Sequence, residues 1–387
     1  MAGAAEDRDH VQFTKETLVV DSHIDTPFAL TRKPGSVIEG APVLEFDYPK
    51  ARAGGLDVAF MAIYVPAARE DDGTAMEFAN QLIDSVEEIV EQAPDKFALA
   101  TCTADIRKIK ELGLIALPMG LENGAPIKGK LDNFNHLIER GIRYITLAHS
   151  KNNHLADSSY DDGPLWEGLS GFGIEMVEEM NDRGIMVDIS HLTDDAAWKV
   201  LEISKTPVVA THSSLRHFVP GFHRNISDEM VIAVAKAGGV VMINFGSGFV
   251  NAESRAWSDR RREKAEELNA KYPDDSAMVT ALLLEYAEEN PYPFADVAKV
   301  VDHIDRVVEL TSVNHVGLGS DFEGVGGTLP NGLKDASGIP NIVKELWVRG
   351  YSIDDTKKIL GENFMRVWGA VERHAEAQGN QVVCQHE

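Results

Sequence analysis

Short apolar runs alternate with longer amphipathic stretches along most of the chain. The runs are rich in β-branched residues, which is typical of buried strands. The stretches between them, such as 76–90, carry apolar residues at helical spacing with Glu and Asp in between. Setting aside a minor strand at 97–100, the pattern predicts eight buried strands, at 18–25, 56–65, 114–121, 142–148, 185–189, 207–210, 240–245 and 315–318.

Regular alternation of strands and helices favours one architecture. Alternating elements of this kind form parallel βα units, and eight such units favour a closed (β/α)8 barrel of the TIM type. A charged segment at about 251–290 interrupts the alternation after the seventh strand and is predicted to be a helical, solvated insertion. We therefore predict an N-terminal extension at 1–16, a single barrel domain at 17–372 and a C-terminal tail at 373–387.

Charge and composition limit the classes of partner. Asp and Glu number 62 against 37 Lys and Arg, and the formal charge of −25 makes nucleic acid an unfavourable partner. No apolar run approaches the roughly 18 residues of a membrane helix, and no lipid-anchor signal is evident. Residues 1–12 lack the apolar core of a signal peptide, which predicts a cytoplasmic protein, or a periplasmic or secreted one if a signal was removed.

The two cysteines, Cys102 and Cys384, are far apart in the sequence. Two cysteines are too few for a disulfide framework or a Cys-rich zinc site. Their separation favours two free thiols over a pair.

Ionisable side chains follow six of the eight predicted strands. The first strand ends in His23 and Asp25, which are two residues apart and therefore share a face of the strand. The other groups at strand ends are Glu122 after the third strand, His149 after the fourth, His191 after the fifth, His212 after the sixth and Asp321 after the eighth. Because the carboxyl ends of barrel strands meet at one mouth, we expect all seven side chains to converge there.

Such a cluster predicts a metal site, because so many ionisable groups are costly to bury without a cation. Nitrogen and carboxylate ligands without thiolate suit zinc or another divalent transition metal. The candidate ligands are more numerous than one open zinc site requires. A carboxylate such as Glu122 can bridge two ions about 3.5–4 Å apart. Since a pair of ions activates water and polarises the carbonyl that it attacks, the cluster predicts a hydrolase.

The strand ends lie within short motifs that form an ordered set. The motifs are His-Ile-Asp at 23–25, Gly-Leu-Glu-Asn-Gly at 120–124, Thr-Leu-Ala-His-Ser at 146–150 with Asn153, Asp-Ile-Ser-His at 188–191, Thr-His-Ser-Ser at 211–214, His-Arg-Asn at 223–225, Val-Gly-Leu-Gly-Ser-Asp-Phe-Glu-Gly at 316–324 and Ile-Leu-Gly-Glu-Asn-Phe at 359–364. This set spans about residues 17–370 and resembles the membrane (renal-type) dipeptidase family, zinc peptidases with an amidohydrolase-like barrel. Each motif alone is weak evidence, whereas the ordered set is specific.

The resemblance implies a zinc ligand set and a reaction. His23 and Asp25 would bind one zinc ion. His191 and His212 would bind a second ion, with Glu122 bridging the two. The implied reaction is hydrolysis of the peptide bond of a small dipeptide, with a D-residue at the C-terminal position and a homodimeric assembly both left open.

The resemblance also implies roles around the metal ligands. His149 would stabilise the tetrahedral oxyanion and contact the substrate, and Asp321 would carry the proton of the attacking water to the leaving amine. Arg224 would bind the free carboxylate of the substrate. Asn153 would also contact the substrate.

The sequence leaves two alternative functions open. Another amidohydrolase-type enzyme, such as a cyclic amidase or a deaminase, commonly opens with His-x-His and bridges its metals through a modified lysine, whereas this chain has His-Ile-Asp and Glu122. A barrel that binds metal without catalysis would not need the proton-transfer carboxylate of Asp321.

Several residues outside these roles also carry expectations. Asn123 stands where many relatives have glycine, and Gly246-Ser247 replaces bulkier residues, which predicts a more open substrate pocket. Asp21 and Asp188 are expected to orient histidine ligands. Surface or packing roles in loops or at element ends are predicted for the remaining histidines considered, which are His154, His217, His223, His303 and His315.

Overall fold

The computed structural model describes residues 9–386 and contains a closed barrel of eight parallel strands. Ten strands are present in the described residues: β1 (Val20–Ile24), β2 (Val58–Tyr64), β3 (Phe97–Leu99), β4 (Ile115–Leu117), β5 (Met119–Glu122), β6 (Ile142–Thr146), β7 (Met186–Asp188), β8 (Val209–Ala210), β9 (Val240–Ile243) and β10 (Val316–Leu318). The barrel runs β1–β2–β5–β6–β7–β8–β9–β10, and β10 pairs with β1 to close it. The predicted TIM-type (β/α)8 barrel is therefore confirmed.

The predicted third strand, 114–121, is divided at Pro118. A proline has no backbone N–H to donate to a neighbouring strand. Before Pro118, β4 pairs with β2 and β3 outside the closed barrel. After Pro118, β5 enters the barrel between β2 and β6. The minor strand at 97–99 is thus part of a short extension of the sheet rather than a barrel strand.

Helices cover the outside of the barrel. The α-helices are α1 (His10–Glu16), α2 (Thr26–Leu30), α3 (Tyr48–Gly54), α4 (Ala68–Asp71), α5 (Ala75–Gln92), α6 (Thr103–Glu111), α7 (Leu131–Glu139), α8 (Gly171–Asp182), α9 (Asp194–Ile203), α10 (Asp228–Lys236), α11 (Ser247–Val250), α12 (Ala252–Lys271), α13 (Ser276–Glu289), α14 (Val297–Leu310), α15 (Ile339–Val348), α16 (Ile353–Lys357) and α17 (Asn363–Ala377). The shorter helical turns are Ala125–Ile127, Val313–His315 and Ala336–Gly338, of the 3₁₀ type, and Lys358–Glu362, of the π type. Within residues 9–386, no helix is long and apolar enough to cross a membrane.

The segment at 251–290 holds two consecutive helices, α12 and α13. Trp257 links them, because its indole N–H donates to the Asn290 carbonyl (2.7 Å) and its ring lies 6.3 Å from the ring of Tyr286. Most side chains of both helices are exposed. The charged segment after the seventh barrel strand therefore forms two consecutive, largely exposed helices.

The base of the barrel, where the strands begin, is closed by aromatic side chains. Phe60 of β2 packs against Tyr144 of β6, with ring centroids 5.4 Å apart. Phe364 and Trp368 of α17 lie 5.3 and 5.2 Å from the same Phe60 ring. All four side chains are fully buried. Burial of this large aromatic surface stabilises the base of the barrel.

The two ends of the chain differ from the predicted boundaries. Residues 1–8 of the predicted extension lie outside the described residues, and His10–Glu16 forms α1, whose Phe13 ring packs 5.1 Å from that of Trp347. Helix α17 continues past residue 372 to Ala377. Residues 378–386 then return to the base of the barrel, where the Val383 carbonyl accepts a hydrogen bond from the Thr101 hydroxyl (2.8 Å).

A disulfide between Cys102 and Cys384 fastens this C-terminal segment. The expectation of two free thiols is therefore wrong. The carboxylate of Asp105 reinforces the link by accepting the backbone N–H groups of Thr101, Gln385 and His386. No local pattern indicates the pairing, because the two cysteines are 282 positions apart in the chain.

Candidate metal centre

The carboxyl ends of four barrel strands, β1, β5, β7 and β8, bring the five predicted ligands together. Asp25 begins α2 directly after β1, and the ladder between β1 and β2 shifts register between Asp21 and Ile24. A shift of this kind changes the direction in which a side chain points. The five predicted ligands, each less than a tenth exposed, are His23, Asp25, Glu122, His191 and His212. The predicted convergence at one mouth is present.

The carboxylate of Glu122 lies at the centre of this group. Its Oε2 is 3.6 Å from Nε2 of His23, whereas its Oε1 is 3.1 Å from Nε2 of His191 and 3.3 Å from Nε2 of His212. One oxygen therefore faces each half of the predicted ligand set. This is the arrangement required of a carboxylate that bridges two ions.

The donor atoms fit zinc in spacing and in chemistry. Two ligands bound at 2.0–2.1 Å with a tetrahedral angle lie about 3.3 Å apart, which matches the separations around Glu122. His23 and Asp25 are similarly placed, with Nε2 and Oδ2 3.5 Å apart. Nε2 of His23 is buried and has no hydrogen-bond partner among the described residues. Such an atom is costly to leave unpaired, and a metal ion would satisfy it.

Electrostatics at Glu122, His191 and His212 favour the protonation states that bind metal, whereas neighbouring groups raise the pKa of His23. Burial raises the pKa of Glu122, but the charges of His149 and His23 and hydrogen bonds from His191 and His212 outweigh it and hold that pKa well below its usual range. Burial lowers the pKa of His191 and of His212 well below the usual imidazole range. Neutral imidazole and ionised carboxylate are the forms that bind zinc.

Asp321 lies on the Asp25 side of the centre. It forms a cluster with His23 and Asp25, in which the potential ligand atoms all lie within 4.8 Å of one another. Asn244 donates from Nδ2 to Oδ2 of Asp321 (2.6 Å), which fixes the orientation of the carboxyl group. Burial and the neighbouring Asp25 charge raise the pKa of Asp321 well above its usual range. A bound cation would oppose this effect.

Gly324 is a residue of the site that sequence reasoning missed. A Cβ at this position would collide with Oδ1 of Asp321 and Oδ2 of Asp25. Asp321 and Glu323, on the same turn, both have left-handed backbone conformations, with φ of 62° and 72°. The motif Ser-Asp-Phe-Glu-Gly therefore encodes a tight turn that aims Asp321 at the centre. Only the absence of a side chain at 324 permits this turn.

Tyr144 is a second missed residue. Its hydroxyl lies 2.8 Å from Nδ1 of His23, so an imidazole that binds metal through Nε2 donates its Nδ1–H to Tyr144. The expected partner, Asp21, accepts instead the backbone N–H groups of His23 and Ser320. Asp21 therefore orders the backbone, and Tyr144 orients the ring. No sequence signal marked Tyr144, which lies in the middle of a fully buried strand.

Asp188 acts on the other half of the centre through an intermediary. Its carboxylate accepts hydrogen bonds from the hydroxyl and backbone N–H of Thr211. The Thr211 hydroxyl oxygen lies 2.9 Å from Nδ1 of His212. Asp188 thus reaches His212 through Thr211.

A cavity of about 950 Å³ opens above the predicted ligands. His149 lies in its wall, with Nε2 3.4 Å from Oε1 of Glu122 and its ring 4.5 Å from that of Tyr64. Burial lowers the pKa of His149 below the usual imidazole range. His149 and Asp321 therefore face one cavity from opposite halves of the centre.

Arg224 approaches the centre from the loop after β8. Its Nη1 donates to Ser213 Oγ (2.9 Å) and its Nη2 to the His212 carbonyl (2.8 Å). The guanidinium is therefore held by two hydrogen bonds, and its buried Nε–H is left without a protein partner among the described residues.

Asn153 is not brought to the cavity. Its Nδ2 donates to Oδ1 of Asn123 and to the Leu147 carbonyl, while its Oδ1 accepts the backbone N–H groups of Leu155 and Ala156. These four bonds occupy the amide. The residue fixes the loop after β6 rather than facing the ligands.

The residues expected to open the pocket do not line it. Asn123 has a left-handed conformation with φ of 82°, and its side chain bonds to the Val65 carbonyl. Gly246 packs against Val325, and Ser247 Oγ accepts the Ala295 N–H. The pocket that these positions predict to be more open than in relatives therefore stays a prediction.

His303 differs from its expected place at an element end. It lies inside α14, is fully buried, and accepts the Leu215 N–H through Nδ1. Its Nε2 donates to the Val250 carbonyl, and burial lowers its pKa to about 4. The predicted packing role is consistent with these contacts.

Histidine and carboxylate donors at the mouth of a (β/α)8 barrel, beside a cavity with candidate proton-transfer groups, define a class of metal-dependent hydrolases. Comparisons with known proteins place the chain more closely. The model of the membrane dipeptidase family, peptidase family M19, matches residues 8–382. The chain belongs to this family and is a metallopeptidase that hydrolyses peptide bonds.

Individual relatives agree with this assignment. Dipeptidase aclJ of Aspergillus oryzae is 31% identical over 340 residues, which cover 86% of this chain and 71% of that protein. Dipeptidase verJ of Clonostachys rogersoniana is 30% identical over 368 residues, covering 92% and 84%. The crystal structure of the probable dipeptidase PvdM from Pseudomonas aeruginosa has a TM-score of 0.82 at 28% identity and covers 95% of this chain and 98% of its own.

Proposed function

We propose that this chain is a binuclear zinc dipeptidase that cleaves the peptide bond of small dipeptides. The observation that carries the proposal is the position of Glu122, whose two oxygens face two separate sets of ligand atoms. His23 and Asp25 would hold one ion, and His191 and His212 the other. When bound, the zinc pair would supply Lewis acidity and an activated water at neutral pH.

The residues of the chain would divide the remaining work. Nε2 of His149 faces Glu122 within the cavity wall, where a donor can stabilise the oxygen of the scissile carbonyl as its charge develops. Asp321, held by Asn244, would accept the proton of the attacking water and pass it to the leaving amine. Both roles require groups that are fixed before the substrate arrives, and the contacts described above fix them.

Arg224 would restrict the enzyme to dipeptides. A guanidinium pairs with a carboxylate through two parallel hydrogen bonds, and burial strengthens the pair. If Arg224 binds the terminal carboxylate one residue beyond the scissile bond, only a substrate that ends there aligns that bond with the ligand cluster. We extend the proposal to substrates with a D-residue at the C-terminal position, because the cavity of about 950 Å³ has room for either configuration.

The test compares a dipeptide with its C-terminal amide. In the unmutated enzyme, kcat/KM for the amide should be lower than that for the free acid by roughly 10²-fold or more, because a buried charged pair is lost. Arg224→Met should cause a similar loss for the free acid and little further loss for the amide, since both changes remove the same interaction. Arg255→Met is the matched control, because Arg255 pairs with Asp259 and stacks on Phe222 near the same mouth.

Two outcomes would contradict the proposal. Equal cleavage of acid and amide by the unmutated enzyme would contradict the binding of the terminal carboxylate by Arg224. It would also contradict the proposed restriction to dipeptides. A loss in Arg255→Met as large as that in Arg224→Met would show that the effect is not specific to the proposed binding residue.

A further inference from the structure

One wall of the cavity carries an arginine that the proposed reaction does not use. Arg32 lies just after α2 and lines the cavity, with its guanidinium carbon 3.9 Å from the ring centroid of Phe28. Phe28 packs edge-on against Tyr64 (4.7 Å), and Tyr64 lies 4.5 Å from His149. A continuous row of rings therefore connects Arg32 to the catalytic centre.

Arg32 is available for a ligand. Its guanidinium makes no ion pair and no side-chain hydrogen bond within residues 9–386, although acidic residues outnumber basic ones by 62 to 37. The adjacent lysine, Lys33, is neutralised, because its Nζ lies 2.6 Å from Oε2 of Glu323. Stacking on Phe28 fixes the plane of the Arg32 guanidinium and leaves its N–H edge free.

The acidic groups on the same wall are occupied with each other. The carboxylate of Glu323 accepts the backbone N–H groups of Glu45 and Phe46, and the carboxylate of Glu45 accepts the backbone N–H of Glu323. Burial raises the pKa of Glu45 to about 7, which reduces its negative charge at neutral pH. Arg32 is therefore the unpaired cation among the described residues that line the cavity.

The barrel order places Arg32 opposite Arg224. Arg32 follows β1 and packs beside β2, whereas Arg224 lies in the loop after β8 and interacts with residues after β7 and β8. In the closed order, β1 and β2 lie across the barrel from β7 and β8. A dipeptide whose C-terminal carboxylate reaches Arg224 must therefore direct its N-terminal residue towards Phe28 and Arg32.

We propose that Arg32 selects dipeptides whose N-terminal residue carries a carboxylate side chain, Asp or Glu. This inference rests on the proposed function, because the direction of the substrate follows from Arg224. A carboxylate meets the free N–H edge of the guanidinium in a planar, two-bond pair, while the methylene groups of the substrate pack on Phe28 and Tyr64.

Isosteric substrate pairs test the inference. For the zinc-loaded enzyme, kcat/KM for Glu-Ala should exceed that for Gln-Ala by roughly tenfold, since the two differ in charge and little in shape. In Arg32→Met the ratio should fall to about one, and Arg32→Glu should favour Lys-Ala over Glu-Ala. Calorimetry with the products should show tighter binding of L-Glu than of L-Gln, and Arg32→Met should abolish that difference.

A control variant and a neutral substrate distinguish a failure of the inference about Arg32 from a failure of the proposed function. Arg255→Met removes a paired arginine from the other side of the mouth and should keep the Glu-Ala to Gln-Ala ratio. A ratio near one in the unmutated enzyme, or a high ratio that survives Arg32→Met, overturns the role of Arg32 while Ala-Ala is still cleaved. Absence of cleavage of all these dipeptides overturns the proposed function, and the inference falls with it.

Discussion

The two ends of the barrel are built from the same strands but by opposite rules. At the base, rings of Phe60, Phe364 and Trp368 fill the interior, and a disulfide fastens the C-terminal segment. At the mouth, buried ionisable groups crowd together, and His191 and Asp321 adopt left-handed backbone conformations. Such conformations cost on the order of 1 kcal/mol or more each and persist only where the surroundings enforce them.

This difference shows that the residues that stabilise the base and the residues proposed to act in catalysis lie at opposite ends of the barrel. The base satisfies the local preferences of its residues by burying apolar surface. The mouth violates several of those preferences in order to aim side chains at one point, which is typical of functional sites. Changes at the mouth should therefore affect catalysis more than folding, and changes at the base should do the reverse.

The largest expected effect comes from Asp321→Asn at the mouth. Asparagine has the same shape and can still bond to Asn244, but it cannot take up a proton. We expect kcat to fall by roughly 10²- to 10⁴-fold, with KM, zinc content and melting temperature nearly unchanged. Steady-state kinetics and thermal unfolding check this, and near-full turnover would remove Asp321 from the mechanism.

The converse experiment removes the disulfide at the base. Cys384→Ser should lower the free energy of unfolding by about 2–4 kcal/mol, since the bond constrains the unfolded chain. Turnover at 25 °C should stay the same, because Cys102 and Cys384 lie at the opposite end from the ligands. Denaturant unfolding with parallel kinetics tests the separation of the two ends. A large fall in kcat in the folded variant would contradict it.

Tyr144→Phe should give the smallest effect of the three substitutions. It sharpens the comparison between the base and the mouth, because Tyr144 contacts residues at both ends. Its ring packs on Phe60 at the base, while its hydroxyl bonds to His23 at the mouth. Phenylalanine keeps the packing and removes the bond. We expect zinc affinity at one site to fall by roughly 10-fold, within the range for such partners, with little loss of stability. Competition with a chelator measures the affinity, and unchanged affinity would show that Tyr144 only packs.

Much of the fold was predictable because its pattern is local. Apolar runs separated by helical stretches indicated eight strands. Because the carboxyl ends of barrel strands meet at one mouth, the strand ends then placed His23, Glu122, His191 and His212 together. The division at Pro118 was readable in principle, since proline cannot donate a ladder hydrogen bond.

The remaining features depend on tertiary contacts that no local pattern encodes. The Cys102–Cys384 bond joins residues 282 positions apart, and Tyr144 looks like any core residue of a strand. Asn153 lies in a motif beside the site, yet its amide is used to hold a loop. Proximity in sequence to functional residues therefore did not reveal which side chains face the cavity.

The zinc content of the enzyme tests the central claim most directly. Protein purified without chelator and reconstituted with zinc should bind two ions per chain by elemental analysis, and activity should rise until the second equivalent. His212→Ala should retain one ion in a folded barrel, as judged by circular dichroism. Saturation of the unmutated enzyme at one ion with full activity would contradict a centre bridged by Glu122.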